Sequence, residues 1–117
     1  MLKTETKYDL EERTLLFAKQ IINFCKKLPS NTINFKLIDQ LIRSAGSIGA
    51  NYREANDSLG KQDFIHRLRI SRKESKETIF WLELIKEANN INTDSLIDEC
   101  SQLRNILSAI IKKVGNK

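Results

Sequence analysis

The sequence predicts an all-α protein, an antiparallel up-down-up-down four-helix bundle, and three observations predict it. Only four Gly and one Pro occur in 117 residues, too few turn formers for a β-sandwich or barrel. Apolar residues recur at spacings of three, four and seven, the period of one helix face. The breaks between periodic stretches are short and evenly placed: LPSNT at 28–32, DSLGK at 57–61 and NNINT at 89–93. They divide a single domain, 1–117, into helices at about 9–28, 33–58, 61–88 and 94–114. Short connections make sequential helices antiparallel neighbours.

In the first helix Leu10, Phe17, Ile21, Cys25 and Leu28 share one face, with Thr14 filling the gap. Pro29 stops it, because the residue before a proline disfavours helical geometry. The second helix opens on Asn31 or Thr32 as N-cap. Its stripe is Leu37, Ile38, Leu41, Ala45, Ile48, Tyr52, Ala55 and Leu59. The third carries a heptad line, Phe64, Leu68, Ser71, Ser75, Thr78, Leu82 and Ile85, with small polar residues in its middle. Such residues admit a neighbouring backbone, and Ala45, Gly46 and Gly49 are a matching small surface on helix two. The fourth, with Asn92 or Thr93 as cap, repeats the pattern in Leu96, Cys100, Leu103, Leu107, Ile110 and Val114. Asp94 and Lys112–Lys113 suit its positive and negative ends. Cys25 and Cys100 fall on apolar stripes and read as reduced, buried small hydrophobes.

Some hydrophobes miss these stripes. Ile70, Phe80, Trp81 and Leu84 of helix three, and Leu15, Leu16 and Ile22 of helix one, point away from the inner face at about 100° per residue. Clustered large side chains outside a core mark an interface. Helices one and three are therefore expected to build a homo-oligomer, with Leu15, Ile22, Ile70, Phe80, Trp81 and Leu84 at the contact.

Twenty Lys and Arg against 15 Asp and Glu give a net charge of +5, compatible with a nucleic-acid partner without requiring one. The cations concentrate in HRLRISRKESK, 66–76, where Arg69, Arg72, Lys73 and Lys76 stand at i, i+3, i+4 and i+7. One face so charged can follow a phosphate backbone. The competing reading is a solvated helix face paired with nearby Glu74, Glu77 and Glu83.

Nothing in the sequence has the pattern of a catalytic, metal or cofactor site. The single histidine, His66, cannot build a His-based metal cluster within one chain, and no phosphate-loop or dinucleotide fingerprint occurs. Gly46-Ser47-Ile48-Gly49 has the GxxG spacing of an RNA-backbone clamp but sits inside a helical pattern, where it reads as close helix packing. Ser44, Ser47 and Asn51 lie along one flank of helix two, placed to hydrogen-bond a neighbouring helix or subunit. No stretch approaches a membrane span and the N-terminal residues lack an apolar signal core, so a cytoplasmic location is the expectation.

Two longer stretches carry more information. QLIRSAGSIGANYREAN (40–56) and KQDFIHRLRISRKESKETIFWLELI (61–85) resemble the bacterial four-helix-bundle family named after proteins encoded in intervening sequences of 23S ribosomal RNA genes. That family includes the accessory variability protein of diversity-generating retroelements. The likeness runs from about Tyr8 to Val114, and Arg43, Ser44, Asn51, Tyr52, Glu54, Phe64, Glu74, Glu77 and Trp81 match its pattern. The resemblance implies an antiparallel bundle assembled as a pentameric ring, with these residues as fold and assembly determinants. It further implies contact with nucleic acid, RNA or DNA, or with a reverse transcriptase. The expectation is a non-enzymatic accessory or scaffold that holds RNA or DNA backbone through Arg69, Arg72, Lys73 and Lys76 repeated around the ring. The alternative is an adaptor ring that docks a partner enzyme such as a reverse transcriptase without touching nucleic acid.

Overall fold

The computed structural model describes residues 2–116, with side chains from Leu10 to Asn116. Four helices follow one another, α1 (Leu2–Cys25), α2 (Thr32–Asn56), α3 (Lys61–Asn89) and α4 (Asp94–Gly115), with no strand among the described residues. Sequential helices pack side by side, α2 against α3 most extensively, and α4 closes the square weakly against α1. The rod measures 47 × 23 × 19 Å, as expected of helices of 22 to 29 residues at 1.5 Å per residue.

Each helix stops for a local reason. α1 ends at Cys25, three residues before the expected Leu28. Lys27 N and Leu28 N bond to the carbonyls of Phe24 and Cys25 at 3.1 Å, tightening the last turn into i→i−3 geometry ahead of Pro29. α1 also begins at Leu2 rather than near Asp9. Asn31 is the N-cap of α2, accepting from Asn34 N at 2.8 Å. α2 likewise closes at Asn56, with Ser58 N bonding to Ala55 O, so Leu59 leaves the stripe and stands 100% exposed. Asn90 takes the left-handed conformation, φ 49°, at the end of α3, which Asn tolerates better than most residues. Thr93 makes no side-chain cap for α4; Asn92 Oδ1 instead accepts from Asp94 N at 2.8 Å.

The core follows the predicted faces: Phe17 and Ile21 of α1, Leu41 and Ile48 of α2, Leu68 and Leu82 of α3, Cys100, Leu103 and Leu107 of α4 are all buried. The α4 stripe ends differently from its prediction. Ile111 is the buried residue, while Ile110 and Val114 are half-buried, because a straight helix drifts from a strict seven-residue repeat. Small polar groups inside the bundle bond to a neighbouring helix. Ser71 Oγ donates to Ile48 O (2.7 Å), Thr78 Oγ1 donates to Ser44 Oγ (2.9 Å), and Cys100 Sγ donates to Ser75 O (3.3 Å). At the far end Asn34 and Asn89 exchange two amide hydrogen bonds of 2.9 Å, and Asn34 Nδ2 also donates to Pro29 O at 2.8 Å. The α1–α2 turn is thereby tied to the end of α3.

Gly49 of α2 faces a different partner from the one expected. A Cβ on Gly49 would lie 2.8 Å from Thr14 Oγ1, so Gly49 lets α1, not α3, approach. A Cβ on Gly46 would meet nothing within 4 Å.

Burial pushes the Cys100 thiol up to about 12 and the Cys25 thiol up to about 11. Both stay protonated at neutral pH, and the thiolate is the reactive form. Native protein at pH 8 is expected to resist iodoacetamide at both positions, and urea-unfolded protein to be alkylated at both, as read by intact mass.

Candidate nucleic-acid interface

The third helix turns the basic stripe outward on its α4 side. At about 100° per residue, Arg72, Lys76, Arg69 and Lys73 fill one arc of α3. The buried line through Leu68, Ser75 and Leu82 fixes that arc's direction. Arg69, Lys73 and Lys76 are exposed. Arg72 is half-buried and its Nη1 donates to Ser108 Oγ of α4 at 3.5 Å.

Two of the three carboxylates that were candidates to neutralise this arc are engaged elsewhere; Glu83 lies on the arc itself, about two turns past Lys76. Glu74 and Glu77 lie on the opposite flank of α3, facing α2, and both meet Arg43, at 3.5 and 3.1 Å. Among the described residues Glu83 forms no ion pair, and neither do Arg69, Arg72, Lys73 and Lys76. Four cations thus stand together on one arc with no carboxylate partner among the described residues, and their field adds instead of cancelling.

The expected oligomer contact divides into two groups. Phe80 falls within the same arc as the basic stripe, 56% exposed, with Leu84 beside it at 37%. Trp81 and Ile70 lie on the α2 flank and are half-buried. Trp81 packs against the core and sets its ring edge-on to Phe80, centroids 5.1 Å apart. Its position is a correction to the outward one expected, because the neighbouring helix reaches that flank. Its Nε1 is shielded and has no acceptor among the described residues, which costs on the order of 1–3 kcal/mol that ring packing must offset. On α1, Leu15 and Ile22, seven apart, are exposed along one line, and exposed Leu16 lies round toward α4.

The matched residues of α2 act mainly inside the bundle. Ser44 bonds across to Thr78, as expected of that flank. Ser47 and Asn51 do not; they donate to Arg43 O and Ser47 O of their own helix. Tyr52 is buried, and Phe64 is partly buried against the core. Glu54 is exposed and makes no ion pair among the described residues. A cleft of about 540 Å³ between α1 and α4 is spanned by Arg13, which makes a two-pronged bridge to Glu99 at 2.8 and 2.9 Å. Neither this bridge nor Glu11, which receives Asn56 Nδ2 at 2.8 Å, was legible from periodicity, since each joins distant positions. Among the described residues no three His, Cys, Asp or Glu gather as metal ligands, and no helix is long and apolar enough to cross a membrane.

The family model described as 23S rRNA-intervening sequence protein matches residues 6–111. A crystal structure from Bacteroides thetaiotaomicron, of a protein with unknown function from the S23 ribosomal protein family, is similar throughout. It shares 35% identity and a TM-score of 0.83, over 91% of this chain and 97% of that one. Among curated proteins nothing matches.

Proposed function

The chain belongs to the 23S rRNA-intervening sequence protein family, and on that footing we propose that it is a non-enzymatic, nucleic-acid-associated accessory protein that holds RNA or DNA backbone on a homo-oligomeric ring. One observation carries this reading: Arg69, Lys73 and Lys76 are exposed and without an ion pair among the described residues, while the nearby Glu74 and Glu77 are committed to Arg43. Cations left free in this way bind phosphate by releasing counterions, without reading bases. At low salt the protein is expected to retain labelled RNA or DNA on a filter, with retention falling steeply as salt rises. No retention at low salt overturns the reading.

The ring has its own physical support. Leu15 and Ile22 of α1 and Phe80 and Leu84 of α3 are exposed on helices at diagonal corners, which do not pack together. Such patches can cover each other only between copies, and where the contact is head to tail it closes into a ring when its rotation allows. The family resemblance implies five subunits. Light scattering at micromolar concentration is expected to give a mass several times 13.5 kDa; a monomer removes the ring.

The exposed Phe80 and Leu84 beside the stripe favour a second reading, an adaptor that docks an enzyme such as a reverse transcriptase. A protein partner that stays bound after nuclease treatment supports the adaptor; one released by nuclease supports nucleic-acid binding.

A further inference from the structure

The basic surface does not end with α3. Leu82 and Thr93, Ser75 and Cys100, and Arg72 and Ser108 are joined across the α3–α4 boundary, so the two helices run antiparallel with the N-terminal half of α3 beside the C-terminal half of α4. Residues 61–76 carry six Lys or Arg against two Asp or Glu, and residues 100–116 carry three against none. Nine cations and two anions thus meet in these two helix segments, an excess greater than the +5 of the whole chain.

The α4 contribution has a side. Counting about 100° per residue from buried Cys100, Ser101, Arg104, Asn105, Ser108 and Lys112 fall on the flank that faces α3, where Ser108 receives Arg72. Lys113 falls on the other flank, toward α1. Axes of packed helices lie about 8–10 Å apart, and Ser101 to Lys112 rises about 16 Å. The result is a broad ridge of cations with a line of neutral hydroxyl and amide groups through it.

Resting on the proposed nucleic-acid role, we infer that this two-helix face is built for the backbone of a double strand, with Arg104 and Lys112 as phosphate contacts in addition to the α3 stripe. Single-strand sites place aromatic rings among the cations so that bases can stack. Within 61–76 and 100–116 the rings are Phe64, which packs partly buried against the core, and His66, which is exposed at the outer edge of the α3 arc past Lys73, away from α4. Phe80, on the same arc of α3 one turn past Lys76, lies at the corner assigned to the next copy in the ring. About 16 Å of ridge spans about five phosphates of one strand at 3.4 Å each. Ser101, Asn105 and Ser108 offer partners to sugar hydroxyls, which are the shared surface of RNA duplexes.

The test presents one sequence as duplex RNA, duplex DNA and each single strand to the full-length protein at several salt concentrations. Both duplexes are expected to bind at least tenfold tighter than the single strands. Tighter binding of duplex RNA would assign the hydroxyl line to sugar contacts, and equal binding would assign phosphate contacts alone; both support the inference. Arg104→Gln with Lys112→Gln is expected to weaken duplex binding roughly tenfold and to lower the salt slope by about two, with Lys113→Gln leaving both unchanged. Circular dichroism confirms that each variant folds. Equal effects of Lys112→Gln and Lys113→Gln overturn the face. Single strands that bind as tightly as duplexes, or lose binding on Phe80→Ala, overturn the duplex preference. Absence of any binding instead overturns the nucleic-acid role on which the inference rests.

Discussion

Two alanines placed three residues apart in α2 are expected to change stability in opposite directions. Gly46→Ala should stabilise the protein by about 0.5–1 kcal/mol, because Ala is the better helix former and its methyl meets nothing within 4 Å. Gly49→Ala gains the same propensity but drives its methyl to 2.8 Å from Thr14 Oγ1 and 3.1 Å from Thr14 Cβ. Thr14 is buried, and its hydroxyl donates to Glu11 O at 3.1 Å, so it cannot swing away freely. Overpacking of this kind costs about 1–3 kcal/mol, and the expected net is a loss of about 1–2 kcal/mol. Thr14→Ala in the same chain removes the closer atom and should recover part of the loss, a coupling that a double-mutant cycle measures. Urea unfolding at one fixed protomer concentration reads all five proteins, the wild type, the three single variants and the double variant. Equal effects of the two single substitutions would show that α1 does not approach α2 at Gly49.

Neutralising the stripe should abolish most nucleic-acid affinity. With Arg69, Arg72, Lys73 and Lys76 all changed to Gln, the slope of log affinity against log salt is expected to fall by up to about four, close to one for each phosphate no longer neutralised. Affinity at low salt should fall roughly a hundredfold or more. The fold should survive, because Arg69, Lys73 and Lys76 are exposed and Arg72 contributes one 3.5 Å hydrogen bond to Ser108. Arg43→Gln provides the contrast. It removes one positive charge from the same chain, but a charge already engaged by Glu74 and Glu77, and binding should be nearly unchanged. If the Arg43 variant binds as poorly as the stripe variant, total charge is the determinant and the stripe has no special part.

Much of the fold was legible in the sequence because burial imposes a period. Phe17, Ile21, Leu41, Ile48, Leu68, Leu82, Leu103 and Leu107 are buried on the faces that spacing assigns them. Asn31 is the cap expected from its chemistry. The misreadings occur where period and end effects disagree. α1 and α2 close early through i→i−3 bonds, Leu59 is left in solvent, and Ile111 replaces Ile110 as α4 drifts round. The candidate site was legible in part. A run of cations at i, i+3, i+4 and i+7 is a property of one helix and can be read along it. Whether nearby carboxylates cancel those cations is not, since Arg43 lies 31 residues from Glu74.

By itself the sequence determined four amphipathic helices, their order, their inner faces and the clustering of positive charge on α3, because each follows from spacing within one segment. Only the tertiary structure decided what meets across segments. It set Gly49 against Thr14, turned Trp81 toward the core, engaged Glu74 and Glu77 with Arg43, and brought Ser108 of α4 to Arg72 of the basic stripe. The physical reason is that a helix fixes the angle between its own residues, whereas the register between two helices is set by how their side chains interlock.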